Sequence, residues 1–130
     1  MYILDTNTLV YFFKGMGNVS KQILTIPPKD IGIPTIVLFE LEVGIAKSTS
    51  PKKRQAQLTS LTAVVNIFPF GYDEAKCAAS IRTDLEQKGT PIGPYDILIA
   101  GVALSNKGIL VTHNTKEFGR IEGLQIEDWY

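Results

Sequence analysis

Short apolar runs alternate along the chain with longer stretches whose apolar residues recur at helical spacing, and Pro and Gly fall between them. The first run, Tyr2-Ile3-Leu4, ends at Asp5. Asp5-Thr6-Asn7-Thr8 then offers several capping side chains ahead of Leu9-Val10-Tyr11-Phe12-Phe13, which predicts strand, turn, helix. A second amphipathic piece runs from Val19 to Ile26 and is stopped by Pro27-Pro28. Ile31-Gly32-Ile33 predicts a strand closed by Pro34. Thr35 is the expected N-cap of a helix from Ile36 to Lys47, which is apolar on most sides and so expected to be buried. Ser50-Pro51 opens a helix reaching Thr62, because proline suits the first helical position. Val64 to Phe68 predicts a strand. Asp73 is expected to cap a helix carrying Cys77, Ala78, Ile81 and Leu85 on one face, with Gly89 as its stop. Asp96 starts a helix that is apolar from Ile97 to Leu104 and ends at Asn106-Lys107-Gly108. Ile109-Leu110-Val111 and Leu124-Gln125-Ile126 are the last strands expected.

Strands alternating with helices predict an α/β domain with a central, mostly parallel sheet flanked by helices. No internal repeat or low-complexity run interrupts residues 1–130, so one domain is expected. In such sheets ligands gather beyond the carboxyl ends of the strands, and the residues just after each strand are the ones to inspect.

Composition narrows the classes further. Of the 130 residues, 45% are hydrophobic and 20% charged, enough apolar material for a core and unlike a disordered chain. Thirteen basic and thirteen acidic residues cancel, so no gross positive field points to tight nonspecific nucleic-acid binding. A single cysteine, Cys77, excludes an intramolecular disulfide and a thiolate zinc knuckle. No segment approaches the roughly 20 apolar residues of a membrane helix. The first residues meet Asp5 with no basic region, unlike a signal peptide. The expectation is a soluble, cytoplasmic protein.

The chemistry lies in acids placed at strand ends or in apolar surroundings. Asp5 follows the first strand; Asn114 follows the Ile109–Val111 strand within Thr112-His113-Asn114, with Glu117 just beyond. Asp96 precedes an apolar helix, and Glu40 is set among Ile36, Val37, Leu38, Phe39, Leu41 and Val43. An ionised carboxylate in such company is costly unless paired, hydrogen-bonded or bound to a metal. Converging acids without buried lysines would repel one another. A hard divalent cation, Mg²⁺ or Mn²⁺, is the simplest remedy, and it suits phosphoryl chemistry. Each residue also has a plainer reading. Asp5 and Asp96 suit helix caps, Glu40 the surface of its helix, and Asn114 a turn.

Four segments taken together carry a family resemblance. They are Leu4-Asp5-Thr6-Asn7, Leu38-Phe39-Glu40-Leu41, Gly93-Pro94-Tyr95-Asp96, and Thr112-His113-Asn114-Thr115-Lys116-Glu117-Phe118 followed by Gly123-Leu124-Gln125-Ile126-Glu127-Asp128-Trp129. In this order, over the whole chain, they resemble a PIN-domain ribonuclease of the VapC toxin type. The resemblance implies a small α/β domain with a Mg²⁺- or Mn²⁺-dependent endoribonuclease site. Asp5, Glu40 and Asp96 match the family's three acids, implied as metal ligands, and Thr6 and Thr112 match its hydroxyl positions. Many members carry a fourth acid where this chain has Asn114, and Glu117 is expected to take over that role. The resemblance further implies a VapB-type antitoxin as partner, pairing into homodimers, and a structured RNA substrate. Transfer RNA, and initiator transfer RNA in particular, is the target expected by resemblance.

A neutral ribonuclease still needs local positive charge. Lys47 and Lys52-Lys53-Arg54 form the densest basic cluster and are the expected contact with the RNA backbone; the plainer reading is a solvated helix end. His113 is the single histidine, which excludes a two-histidine mechanism. Cys77 suits the core better than a nucleophile's place, and Trp129 is expected to anchor the tail. Three rival readings remain. A dehalogenase-like phosphatase needs a second aspartate two residues after the first, where this chain has Asn7. A receiver-type signalling domain needs an aspartate after the third strand, absent beyond Ile67-Phe68. A catalytically degenerate PIN-like module that binds RNA without cutting is kept open by Asn114.

Overall fold

The computed structural model describes residues 1–130. Strand β1 (Tyr2–Leu4) leads through Asp5 into helix α1 (Thr6–Lys14) and the short helix α2 (Val19–Ile23). A 3-10 turn (Pro28–Asp30) enters strand β2 (Ile31–Pro34), followed by helices α3 (Thr35–Ala46) and α4 (Pro51–Thr62). Strand β3 (Asn66–Phe68) precedes helices α5 (Tyr72–Gln87) and α6 (Pro94–Ser105). Strand β4 (Ile109–Val111), the short helix α7 (Thr115–Phe118) and strand β5 (Gln125–Glu127) complete the chain.

The five strands form one sheet in the order β3-β2-β1-β4-β5, and every pair is parallel. A parallel sheet covered on both faces buries every residue of its central strands, which accounts for their uninterrupted apolar runs. Ile3, Leu4, Ile33, Leu110 and Val111 are fully buried. The chain leaves β1 to one side for β2 and returns to its other side for β4, so the strand order reverses between β1 and β4. That pair is in register with Ile3 opposite Leu110 and Leu4 opposite Val111. Pairing continues one residue past the strands, with the Asp5 N–H donating to the Val111 carbonyl at 3.1 Å and the Thr112 N–H to Glu127 at 2.9 Å.

Several element ends depart from the sequence expectation for identifiable reasons. Pro34, not Thr35, precedes α3, so Thr35 is already helical. Asp73 lies inside the first turn of α5; its N-cap is Gly71, whose N–H is taken by Glu74 Oε1 at 3.0 Å. Helix α6 begins at Pro94, two residues ahead of Asp96, which therefore sits at the third helical position and is not a cap. Strand β3 starts at Asn66 because the Val64 N–H still closes the end of α4 on Leu61 at 3.1 Å. Strand β5 lies one residue later than expected, and α7 and the 3-10 turn were absent from the pattern reading. The α5 stop is as expected. Gly89 has φ +70°, and the Thr90 N–H reaches back to the Leu85 carbonyl at 2.9 Å. Trp129 anchors the tail as expected, 5% exposed and tilted against Tyr2.

The largest correction concerns α3. Only Val37 and Leu41 are buried along it, while Phe39 is 51% and Val43 40% exposed. Helix α3 packs against β2, α1, α4 and α6, and the face that carries Phe39 and Val43 is left open.

Candidate active site at the switch point of the sheet

The crevice at a reversal of strand order is where α/β sheets bind ligands. Here it is bordered by the residues that follow β1 and β4. Asp5 is the N-cap of α1, its Oδ1 accepting the Thr8 N–H at 2.9 Å, so the plainer reading of this residue is correct. The same carboxylate is only 5% exposed. Burial raises its pKa above the usual aspartate value, against hydrogen bonds from Thr112 and Thr8 that favour the ionised form. The Thr8 hydroxyl donates to the Val111 carbonyl at 3.1 Å and ties α1 to β4.

Asp96 enters from the first turn of α6. Burial, then the charges of Asp5, Glu40 and Glu117 in that order, push its pKa up to about 6. Those repulsions show that Asp5, Glu40 and Glu117 lie within Coulombic range of Asp96. Glu40 is half-buried on α3 and accepts the Thr6 hydroxyl at 2.7 Å. The fully buried Thr112 accepts the Asn114 N–H at 3.0 Å, which turns the chain after β4. The Asn114 side-chain N–H₂ donates to Glu117 Oε2 at 3.1 Å. Asn114 thus orients Glu117 toward the other acids.

None of these four acids has a basic partner, since the ion pairs of the fold are Arg82–Glu86, Lys88–Asp84 and His113–Asp128. An all-oxygen donor set with uncompensated negative charge fits a hard divalent cation. The carboxylates do not close into a ready-made triad, as no three His, Cys, Asp or Glu side chains stand within common ligating reach. The set suits Mg²⁺ or Mn²⁺ held by one or two carboxylates and otherwise by water and substrate phosphate.

The remaining singled-out residues separate clearly. Lys47, Lys52 and Lys53 are exposed and form no ion pair, but Arg54 turns inward, its Nη1 donating to the Phe13 carbonyl and to Gln57 Oε1, each at 3.0 Å. The basic cluster is thus not one surface unit. The Cys77 pKa is raised by burial and by Glu74, unlike that of an activated thiol. His113 sits 2.9 Å from Asp128 through Nδ1 and stacks on Tyr130, a strand-end structural residue. The pattern reading missed Thr8, which holds Asp5, and Asp128, whose charge reaches Asp5. The hydroxyl in Asp5-Thr6-Asn7-Thr8 was the available signal for the first. The second needed the position of β5. A cleft of about 850 Å³ lies between α5 and α6 around Ala78, Ile92 and Ile97 and holds none of the four acids. A smaller one, of about 300 Å³, borders Thr6 and Glu40.

Residues 2–124 match the family described as PIN domain. The chain is 35% identical over 128 residues to the tRNA(fMet)-specific endonuclease VapC of Salmonella typhimurium, covering 98% of this chain and 97% of that one. It is 39% identical over 134 residues to ribonuclease VapC2 of Rickettsia felis, covering 99% and 98%. Among solved structures, VapBC2 of Rickettsia felis bound to a promoter DNA fragment superposes with a TM-score of 0.91 at 36% identity, covering 99% of this chain and 98% of that one. DNA-bound VapBC of Salmonella typhimurium gives 0.91 at 35%, with the same coverage. The chain belongs to the PIN-domain family, in its VapC-type branch. The receiver and dehalogenase readings are thereby set aside.

Proposed function

We propose that the protein is the toxin of a type II toxin–antitoxin pair and a Mg²⁺- or Mn²⁺-dependent endoribonuclease. The observation that carries this reading is the meeting of Asp5, Glu40, Asp96 and Glu117 at the switch point with no basic partner. Asp5 and Asp96 hold the cation, and Glu40 serves as a further contact through water or orients the attacking water. Thr6 fixes the Glu40 carboxylate by the 2.7 Å hydrogen bond, and Asn114 keeps Glu117 facing the site. Once bound, the cation supplies the positive charge that draws in a phosphodiester and stabilises its transition state. Initiator transfer RNA is the proposed substrate, supported by the name of the Salmonella relative. A VapB-type antitoxin is the proposed partner, supported by the toxin–antitoxin complexes that the chain superposes on. A homodimer is proposed too, and the open apolar face of Phe39 and Val43 supports it.

The fourth family acid is Asn114 here, which favours a second reading, RNA binding without cleavage. The two readings separate in a growth assay. Induced expression without antitoxin is expected to arrest a bacterial host, and Asp96→Asn at equal protein level is expected to relieve the arrest. Arrest by both proteins alike contradicts the catalytic reading.

A further inference from the structure

Arg54 is held in a way that a solvated helix end does not require. Its Nη1 donates to the Phe13 carbonyl, in the last turn of α1, and to Gln57 Oε1. The Gln57 side-chain N–H₂ donates to the same carbonyl at 3.2 Å. Both partners of the guanidinium are neutral, so its charge is uncompensated. Its Nε–Nη2 edge makes no hydrogen bond within the protein, and no buried polar side-chain atom of the chain lacks a partner, so that edge faces solvent. A planar fork fixed on one side and open on the other is preorganised for two parallel bonds to an anion's oxygens.

The surroundings favour one class of anion. Arg54 and Lys14 line the cleft of about 300 Å³ that Thr6 and Glu40 also line. Lys14 is exposed, ends α1 and has no acidic partner. Val10, Leu41 and Ile45 add apolar wall. Glu40 of the acid site, where a phosphodiester is to be cut, and two unpaired cations therefore share one cleft. A nucleic-acid strand carries its next phosphates at short, regular spacing, so a strand seated at the acids presents one within reach of this cleft.

We propose that Arg54, assisted by Lys14, forms a subsite for a backbone phosphate of the RNA strand adjacent to the phosphodiester being cut. This rests on the endoribonuclease reading and names how that site grips its substrate. Lys47, Lys52 and Lys53 lie outside the cleft and add only diffuse charge.

The test measures binding of fluorescent initiator transfer RNA to the full chain carrying Asp96→Asn, over a series of salt concentrations. Adding Arg54→Gln is expected to weaken binding by about tenfold and to lower the slope of log Kd against log salt by about one. Arg54→Lys keeps the charge without the fork and is expected to keep the slope while losing affinity. Unchanged affinity and slope in Arg54→Gln overturn the subsite while leaving the nuclease reading intact. If Arg54→Gln lowers the melting temperature, Lys14→Gln carries the test: the same loss of slope supports the subsite, and an unchanged slope overturns it. Failure of the Arg54-intact protein to bind or, with Asp96 restored, to cut this RNA contradicts both readings.

Discussion

Asp5 does two things at once, and substitution can separate them. Its Oδ1 caps α1 while the carboxylate faces Asp96 across the switch point. Asn caps about as well as Asp and removes a buried charge, so Asp5→Asn is expected to melt no lower than the wild type yet lose activity by about 100-fold or more. Asp5→Ala loses the cap as well and is expected to cost about 1 kcal/mol in chemical denaturation. A large stability loss in Asp5→Asn would contradict this division. Asp96 makes a pH statement. Its folded pKa of about 6 lies above the unfolded value of 3.8, so the folded state holds the proton more tightly between them. The metal-free protein is expected to lose stability as pH rises from about 4 to 6 and to stay at the lower level above that. Because Asp96 is only half-buried, screening reduces this to on the order of 1 kcal/mol. Asp96→Asn should flatten that slope and melt higher than wild type at pH 7. Saturating Mn²⁺ should raise the wild-type melting temperature, by roughly 1.4 kcal/mol of stability at ten times Kd. A wild type with no pH slope and no response to Mn²⁺ would sink the assignment of Asp96.

Among the elements, α3 shows what hydrophobicity does and does not say. A nearly all-apolar helix implies that something covers it. It does not say that the cover comes from the same chain. Phe39 and Val43 are open, and Tyr95, 45% exposed, has its ring 5.7 Å from that of Phe39. A homodimer through this face predicts that Phe39→Glu halves the mass measured by light scattering; an unchanged mass removes this face from the interface. Helix α5 was legible in its apolar face and its glycine stop, but its start was not. Asp73 is the stronger capping residue by type, yet Gly71 with Glu74 three residues later satisfies the first turn. Helices α5 and α6 meet closely at Gly101, where an added Cβ would lie 2.7 Å from the Ala78 Cβ and 3.1 Å from its backbone. Gly101→Ala is therefore expected to destabilise by about 1–3 kcal/mol, seen as a fall in thermal midpoint. A midpoint like the wild type's would show that the two helices separate without loss.

At the scale of the molecule, fold and site were readable for the same reason. Parallel strands covered on both faces are written as plain apolar runs, so Tyr2–Leu4, Ile31–Ile33 and Ile109–Val111 stand out without any alternation. An acid directly after such a run lies at the carboxyl edge of the sheet, which is how the sequence alone places Asp5. Glu40 and Asp96 were found through the opposite signal, a charge among apolar neighbours. The Asn114–Glu117 contact was not readable, because it depends on a turn after β4 and a one-turn helix, α7, with no periodicity of its own. Nor was the inward turn of Arg54, which a run of three basic residues conceals. Charge neutrality across the chain likewise hides a strongly uneven distribution, with Asp96 in the field of three other acids and the unpaired Lys14 and Arg54 lining the cleft that Glu40 borders.

The central claim is that these acids cut RNA with the help of a divalent cation. Purified protein, freed of any bound partner, is incubated with initiator transfer RNA and Mg²⁺ or Mn²⁺, with EDTA and Asp96→Asn run alongside. The account predicts discrete fragments that disappear in both controls. Intact RNA in every lane, from folded protein that binds Mn²⁺, would contradict it and leave a metal site without cleavage.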